Sequence, residues 1–146
     1  MALTWQTGSC HCRKIKFKCN IPKTVDVYKC NCSICWMRQN HHFVVTKENF
    51  QLIKESVVSS DSEPTNYKFN TNQATHKFCK FCGVQCYYIP RSNQDGFGVT
   101  IYCMDNYQPN TAEEEKIKVI WHDFDGQNWE KQIESSSITS KTDRNY

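Results

Sequence analysis

The sequence predicts a mainly β domain built from short strands. Three observations lead there. Residues 13–19 alternate cleanly, with Ile15, Phe17 and Cys19 on one side and Lys14, Lys16 and Lys18 on the other, which is the period of a half-buried strand. Turn-forming residues recur at Asp61-Ser62-Glu63-Pro64, from Pro90 to Gly96 and at Asp125-Gly126, and they punctuate the chain at short intervals. Helical periodicity is sparse, and aromatic residues make up 13% of the chain, a composition suited to packed sheets.

The remaining elements follow in order. A second strand is expected over 25–29, after the turn around Pro22. Residues 43–46 and 50–53 read as short strands on either side of a polar turn, and 66–70, 85–89, 97–102 and 118–121 complete the set. One short helix is expected over 33–39, with Ser33 as its cap, because a serine oxygen accepts a free first-turn N–H. A second is expected over 128–133. Residues 135–146 are polar and rich in Ser and Thr, the composition of a flexible tail. Residues 1–134 are therefore expected to form a single domain.

Composition bounds the function classes. The chain has 146 residues, of which 38% are hydrophobic, enough for one real core. No stretch approaches the length that spans a bilayer. The net charge of +3 comes from scattered lysines, so no basic footprint for nucleic acid is present. No apolar run after Met1 resembles a signal peptide, so an intracellular protein of cytoplasm or nucleus is expected, not a secreted one. The sequence carries no sign of the oligomeric state.

Chemistry concentrates in the cysteines. Seven of the ten fall into three clusters: Cys10-His11-Cys12, Cys30-Asn31-Cys32-Ser33-Ile34-Cys35, and Cys79-Lys80-Phe81-Cys82. Thiols one or two residues apart converge on one soft cation. Bond geometry disfavours disulfides between residues so close in sequence, and clustered cysteines inside a cell point to metal. Zinc takes four such ligands in a closed structural site, or three plus an open position in a reactive one. Two pairs and one triplet therefore suggest two zinc ions. Cys79-X-X-Cys82-Gly83 is a knuckle in which glycine frees the backbone to bend behind the sulfurs. Pairing it with Cys10 and Cys12 would pin the N-terminus to the second half of the sheet.

Cys30, Cys32 and Cys35 are left as a three-sulfur site. An open fourth position would bind water or a thiol and lower its pKa. The spacing is equally compatible with a second closed site completed by His11, His41, His42 or Cys103. Among these Cys103, directly after the strand expected over 97–102, is the best spare ligand.

Other residues carry weaker signals. His42 follows the triplet by seven residues and is a candidate proton carrier, or an ordinary strand-start histidine. Arg91, in Pro90-Arg91-Ser92-Asn93, is a candidate fork for a substrate carboxylate, or a solvated turn arginine. Cys19 and Cys86 lie on apolar alternation and read as core thiols. The four tryptophans read as packing residues, with Trp36, Asn40, His41 and His42 as candidate walls of the open site.

The order Gly8-Ser9-Cys10-His11-Cys12, then Cys30-X-Cys32-X-X-Cys35, then Phe78-Cys79-X-X-Cys82-Gly83-Val84 resembles the glutathione-dependent formaldehyde-activating enzyme family. Within it the chain looks closest to the animal centromere protein V branch, through Gln39-Asn40-His41-His42-Phe43, Thr75-His76-Lys77-Phe78-Cys79, Pro90-Arg91-Ser92-Asn93 and Gly96-Phe97-Gly98. The resemblance implies a β-tent-like fold of small antiparallel sheets knitted by zinc. It implies a structural zinc on Cys10, Cys12, Cys79 and Cys82, and a labile one on Cys30, Cys32 and Cys35. It also implies a carbon–sulfur lyase that handles a glutathione, or other small-thiol, adduct of a carbonyl such as formaldehyde. The alternative is a non-catalytic zinc module that binds a protein partner.

Overall fold

The computed structural model describes residues 2–53 and 64–138. The residues Asp61, Ser62 and Glu63 of the expected turn, and 139–146 of the expected tail, lie outside the described residues. Among the described residues the chain forms two open sheets and two short helices. Strands β1 (Thr4–Ser9), β2 (Lys16–Ile21) and β5 (Phe50–Leu52) make an antiparallel sheet in the order β1-β2-β5. The larger sheet contains β3 (Thr24–Cys30), β4 (His41–Thr46), β6 (Thr65–Tyr67), β7 (Thr75–Phe78), β8 (Tyr87–Ile89), β9 (Gly96–Thr100) and β10 (Lys118–Phe124). Its order is β10-β3-β4-β9-β8-β7-β6, antiparallel throughout except where β10 runs parallel to β3. Helices α1 (Ser33–Arg38) and α2 (Trp129–Ser135) follow β3 and β10.

Alternation decides which face each side chain takes. Ile15, Phe17 and Cys19 are buried as the sequence predicts. Phe17 stacks on Phe50, and Phe50 meets Tyr87 and Phe97 at centroid distances of 4.7 and 4.6 Å. This aromatic cluster lies in the main core, where each fully buried large side chain contributes about 1.5–3 kcal/mol. Along β4, Phe43 and Val45 enter that core. Val44 faces the other way and joins Tyr28, Phe124 and Ile138 in a second cluster, against which Trp129 and Ile133 pack. The large sheet is thus covered on both sides, and the second side carries the site described below.

Several expectations shift. β1 and β7 are strands that the apolar pattern did not reveal. The strand expected over 97–102 stops at Thr100, and Ile101–Cys103 coils into a 3-10 turn. The strand expected over 118–121 runs on to Phe124, because its parallel register with β3 extends to Phe124 opposite Cys30. Helix α1 begins at Ser33, as expected, but its N-cap is Cys32 and not Ser33, with no side-chain capping hydrogen bond. Ile138 is 3% exposed, so the described start of the expected tail packs onto the domain.

Candidate metal centres

The first centre joins the two sheets. Cys10 and Cys12 lie in the turn between β1 and β2, and Cys79 and Cys82 in the turn between β7 and β8. Gly83 has φ of +77° and donates its N–H to Cys79 O at 2.7 Å, closing the knuckle. The four sulfurs all lie within 4.8 Å of one another. Cys10–Cys12 and Cys12–Cys79 separations are 3.5 and 3.6 Å. Zinc–sulfur bonds of about 2.3 Å in a tetrahedron set sulfurs about 3.8 Å apart, whereas a disulfide needs about 2.05 Å. All ten cysteines are free. The donor set fits a closed zinc site, and the disulfide framework is set aside. The Ile15 N–H donates to Cys10 Sγ at 3.4 Å. At Cys82 burial opposes ionisation but is outweighed by the Cys12 and Val84 N–H groups and the thiols of Cys79 and Cys10, so its thiol falls to about 6. Burial, the largest cause, and the surrounding thiols push Cys10 up to about 12.

The second centre is the triplet. Cys30 ends β3, Cys32 caps α1 and Cys35 lies one turn into the helix, so three sulfurs meet within 4.8 Å of one another. The thiols of Cys30 and Cys35 both favour the ionised form of Cys32, and the first-turn N–H groups of Cys35 and Ile34 add to this, holding its pKa far down. The neighbouring sulfurs, Cys30 first, raise Cys35 steeply. Three soft thiolate donors on one side of a cavity fit a thiophilic ion with an open position.

A surrounding shell holds the triplet in place. The Asn40 amide donates to Cys35 Sγ at 3.6 Å, and its oxygen accepts from Thr100 Oγ1 at 3.3 Å. Asn31 donates to Asp125 Oδ1 at 3.0 Å and accepts from the Gln127 N–H at 3.1 Å. This fastens the loop after β10 over the triplet. At Gly126 in that loop a Cβ would stand 2.8 Å from Cys32 Cβ and run into Cys30 Sγ, so only glycine lets the loop close.

The triplet forms one wall of a cavity of about 380 Å³, within the usual range for a small-molecule site of about 300–1,000 Å³. Phe69, His76, Tyr88, Phe124, Trp129 and Ile138 supply apolar walls, and His42 and Arg91 also line it. The His42 Nδ1 lies 3.3 Å from Asn40 O. A carbonyl only accepts, so Nδ1 carries the proton and Nε2 accepts from the Tyr88 hydroxyl at 2.9 Å. Burial pushes His42 down to about 4. Arg91 stacks on Trp129, 3.8 Å from the ring centroid, and donates to Gln73 Oε1 at 2.9 Å and Glu130 Oε1 at 3.3 Å.

The structure thus brings Cys30, Cys32, Cys35, His42 and Arg91 to one cavity, and Cys10, Cys12, Cys79 and Cys82 to a separate centre. It does not bring Cys103 to the triplet. The 3-10 turn carries its thiol toward Gln85 O, 3.9 Å away, and beside Cys86. Both ring nitrogens of His42 are engaged, by Asn40 O and the Tyr88 hydroxyl, so of the two readings the geometry favours the ordinary, hydrogen-bonded histidine. Trp36 is 67% exposed, and the Nδ1 of His41 pairs with the Tyr102 hydroxyl at 2.8 Å. Neither lines this cavity, but both line a second one, of about 450 Å³, that meets Cys30 and Cys35 from another side. Asn40 stands behind Cys35. Trp5 and Trp121 are also exposed, and only Trp129 of the four tryptophans packs as expected. Gly126, Tyr88 and His76 were given no part in the site from the sequence. The Asp-Gly turn was a visible signal for the first and the Thr75-His76-Lys77-Phe78-Cys79 motif for the third, while Tyr88 is recognised only by its long-range neighbours.

A crystal structure of a Rhodobacter sphaeroides protein shares this fold, with a TM-score of 0.58 and 23% identity over 80% of this chain and 99% of that one. The family model of the glutathione-dependent formaldehyde-activating enzyme matches residues 5–123. That match runs from β1 into β10 and takes in all seven clustered cysteines, and the chain belongs to the glutathione-dependent formaldehyde-activating enzyme family.

Proposed function

We propose that the chain is a zinc-dependent carbon–sulfur lyase that makes or cleaves the adduct between glutathione, or a similar small thiol, and a small carbonyl such as formaldehyde. The observation that carries this reading is the triplet's position: three convergent thiols form a wall of a substrate-sized cavity, while the four-sulfur centre is closed by its own ligands. Cys30, Cys32 and Cys35 would hold the reactive ion. When bound there, zinc supplies a Lewis acid that keeps a thiol ionised at neutral pH. Asn40 orients Cys35, and outer partners of this kind tune metal affinity. Arg91, rigid against Trp129, offers a guanidinium to a carboxylate of the thiol. Phe124, Trp129 and Ile138 exclude water from the reacting carbon. His42 contributes by fixing the Tyr88 hydroxyl.

Ten free thiols support a reducing compartment such as cytoplasm or nucleus, and the assignment to the centromere protein V branch belongs to the same proposal. A second reading has its own observation. Trp36 and Met37 are 67% and 82% exposed on α1, next to the triplet, and an exposed aromatic–methionine pair suits a protein partner. Exchange between formaldehyde and its glutathione adduct, followed by nuclear magnetic resonance, separates the two. The enzyme should accelerate exchange, and Cys32→Ser should abolish the acceleration with the fold intact. Exchange at the protein-free rate would favour the binding module.

A further inference from the structure

Ile34, Phe69, Tyr88, Phe124, Trp129 and Ile138 line the cavity beside the triplet. Three of them belong to the second core cluster, where Phe124 and Ile138 are buried and Trp129 packs against them. Asn93, 1% exposed, donates to Ile138 O at 3.1 Å, and the Tyr88 hydroxyl is taken up by His42. These walls are therefore held by the fold itself and stand ready before any ligand arrives. Fixed charge outside the triplet is nearly absent. Of the described residues that line the cavity, Arg91 alone is a lysine or arginine, and none is an aspartate or glutamate. Burial pushes the two histidines, His42 and His76, toward the neutral form. The Arg91 side chain is 27% exposed, which sets it at the mouth.

Neither half of a formaldehyde–glutathione adduct uses such a space. Formaldehyde contributes a single carbon. Glutathione carries two carboxylates and an ammonium, and only one carboxylate finds an opposite charge here. Burying the others unpaired would be costly. We propose that the cavity takes the side chain of an apolar aldehyde, aryl or branched alkyl, so that thiol adducts of such aldehydes are preferred over that of formaldehyde. This rests on the lyase reading of the same site. The thiol's sulfur sits at the triplet, and its charged peptide stays outside with one carboxylate at Arg91. The aldehyde's substituent packs among Phe124, Trp129 and Ile138. In the forming direction the thiolate adds to the carbonyl carbon, the carbon–oxygen π pair moves to oxygen, and oxygen takes a proton from water. In cleavage the hydroxyl loses that proton, the carbonyl re-forms, and the carbon–sulfur pair leaves on sulfur. Only the group on the carbon differs from the formaldehyde case, so apolar walls discriminate by removing that group from water. One methylene in an apolar pocket is worth about 10-fold or more in specificity.

The test uses the full chain, zinc-loaded, with glutathione and three aldehydes: formaldehyde, 3-methylbutanal and phenylacetaldehyde. Exchange between each aldehyde and its adduct is followed by nuclear magnetic resonance and divided by the protein-free rate. The two apolar aldehydes should be accelerated at least about 10-fold more than formaldehyde. Ile138→Ala should lower that ratio, whereas Arg91→Gln should slow all three alike, because it touches the peptide and not the aldehyde. Calorimetry gives a second reading that needs no turnover: S-(2-phenylethyl)glutathione should bind about 10-fold tighter than S-methylglutathione and should shift the Trp129 indole N–H signal. Equal acceleration of the three aldehydes overturns the proposal and leaves the lyase reading standing. Equal affinity for the two thioethers overturns it as well. Tighter binding of the phenylethyl derivative without acceleration of any aldehyde would keep the apolar subsite and remove the lyase reading instead.

Discussion

The Tyr88 hydroxyl donates to His42 Nε2 at 2.9 Å, edge-on across rings whose planes lie at 86°. The bond ties β8 to β4 across β9 and leaves His42 no room for a second proton. Burial holds His42 at about 4, below its ordinary value of 6.5. The sign follows. Below about pH 6.5 the unfolded chain takes up a proton that the folded one refuses until about pH 4. Stability from this residue is therefore complete above pH 6.5 and is lost as pH falls through that window, by about 3 kcal/mol in all. A titration of the labelled ring should find His42 neutral down to about pH 4. The difference in Tm between wild type and His42→Gln should narrow as pH falls from 7 to 4.5. Titration near pH 6.5 would mean that the ring is open to water.

Cys79→Ser should unfold the domain or lower its Tm by tens of degrees. The four-sulfur centre is the link between the turn of the small sheet and the turn of the large one, and no such site exists in the unfolded chain. Its metal therefore contributes folding free energy directly, on the order of 10 kcal/mol. Zinc content and the thermal transition measure this. A variant with a native transition and both metals bound would remove the structural assignment.

The triplet should release its metal first. It has three protein ligands at a cavity wall, where a chelator can enter. Mild chelation should remove one zinc and leave the circular dichroism of the sheets unchanged, and acidification should weaken this site because thiolates must stay deprotonated to bind. Asn40→Leu should lower affinity at this centre about 10- to 100-fold, since it removes the amide on Cys35. Loss of both metals together with the fold would show the two centres to be one cooperative unit.

Much of this was legible in the sequence because it is local. Cysteine spacing is fixed by covalent geometry, so the four-plus-three division could be read directly. The alternation through Phe17 is just as direct. What stayed hidden depends on partners far along the chain. β1 pairs Thr4 with Ile21 through Ser9 with Lys16, and its own residues are mostly polar. β7 buries Thr75 and His76, so no apolar rhythm marks it. Trp36 was expected at the site and does border a cavity that meets Cys30 and Cys35, but one residue along a helix is a turn of about 100°, so its largely exposed ring is off the cavity that Cys32 lines. Cys103 looked like a spare ligand until the 3-10 turn at Ile101 bent it away.

Gly126→Ala should disable the triplet while sparing the four-sulfur centre. The residue follows Asp125, whose carboxyl is held low by the amides of Asn128 and Asn31, and those bonds fix the loop against the cysteines. An added methyl has nowhere to go. On one side it meets Cys30 Sγ, and on the other Cys32 Cβ at 2.8 Å and Cys32 N at 3.1 Å. These are backbone and first-side-chain atoms of the metal-binding turn, so the turn itself has to yield. Overpacking of this kind typically costs about 1–3 kcal/mol. The sulfurs would lose their convergence before the sheets lost their order. The purified variant should carry one zinc per chain where the wild type should carry two, with a Tm lowered by a few degrees. Its glutathione-adduct exchange should fall to the level of Cys32→Ser. Full occupancy of both centres in Gly126→Ala would show that the loop can retreat without moving the sulfurs, and that the close approach at Gly126 does not set the site.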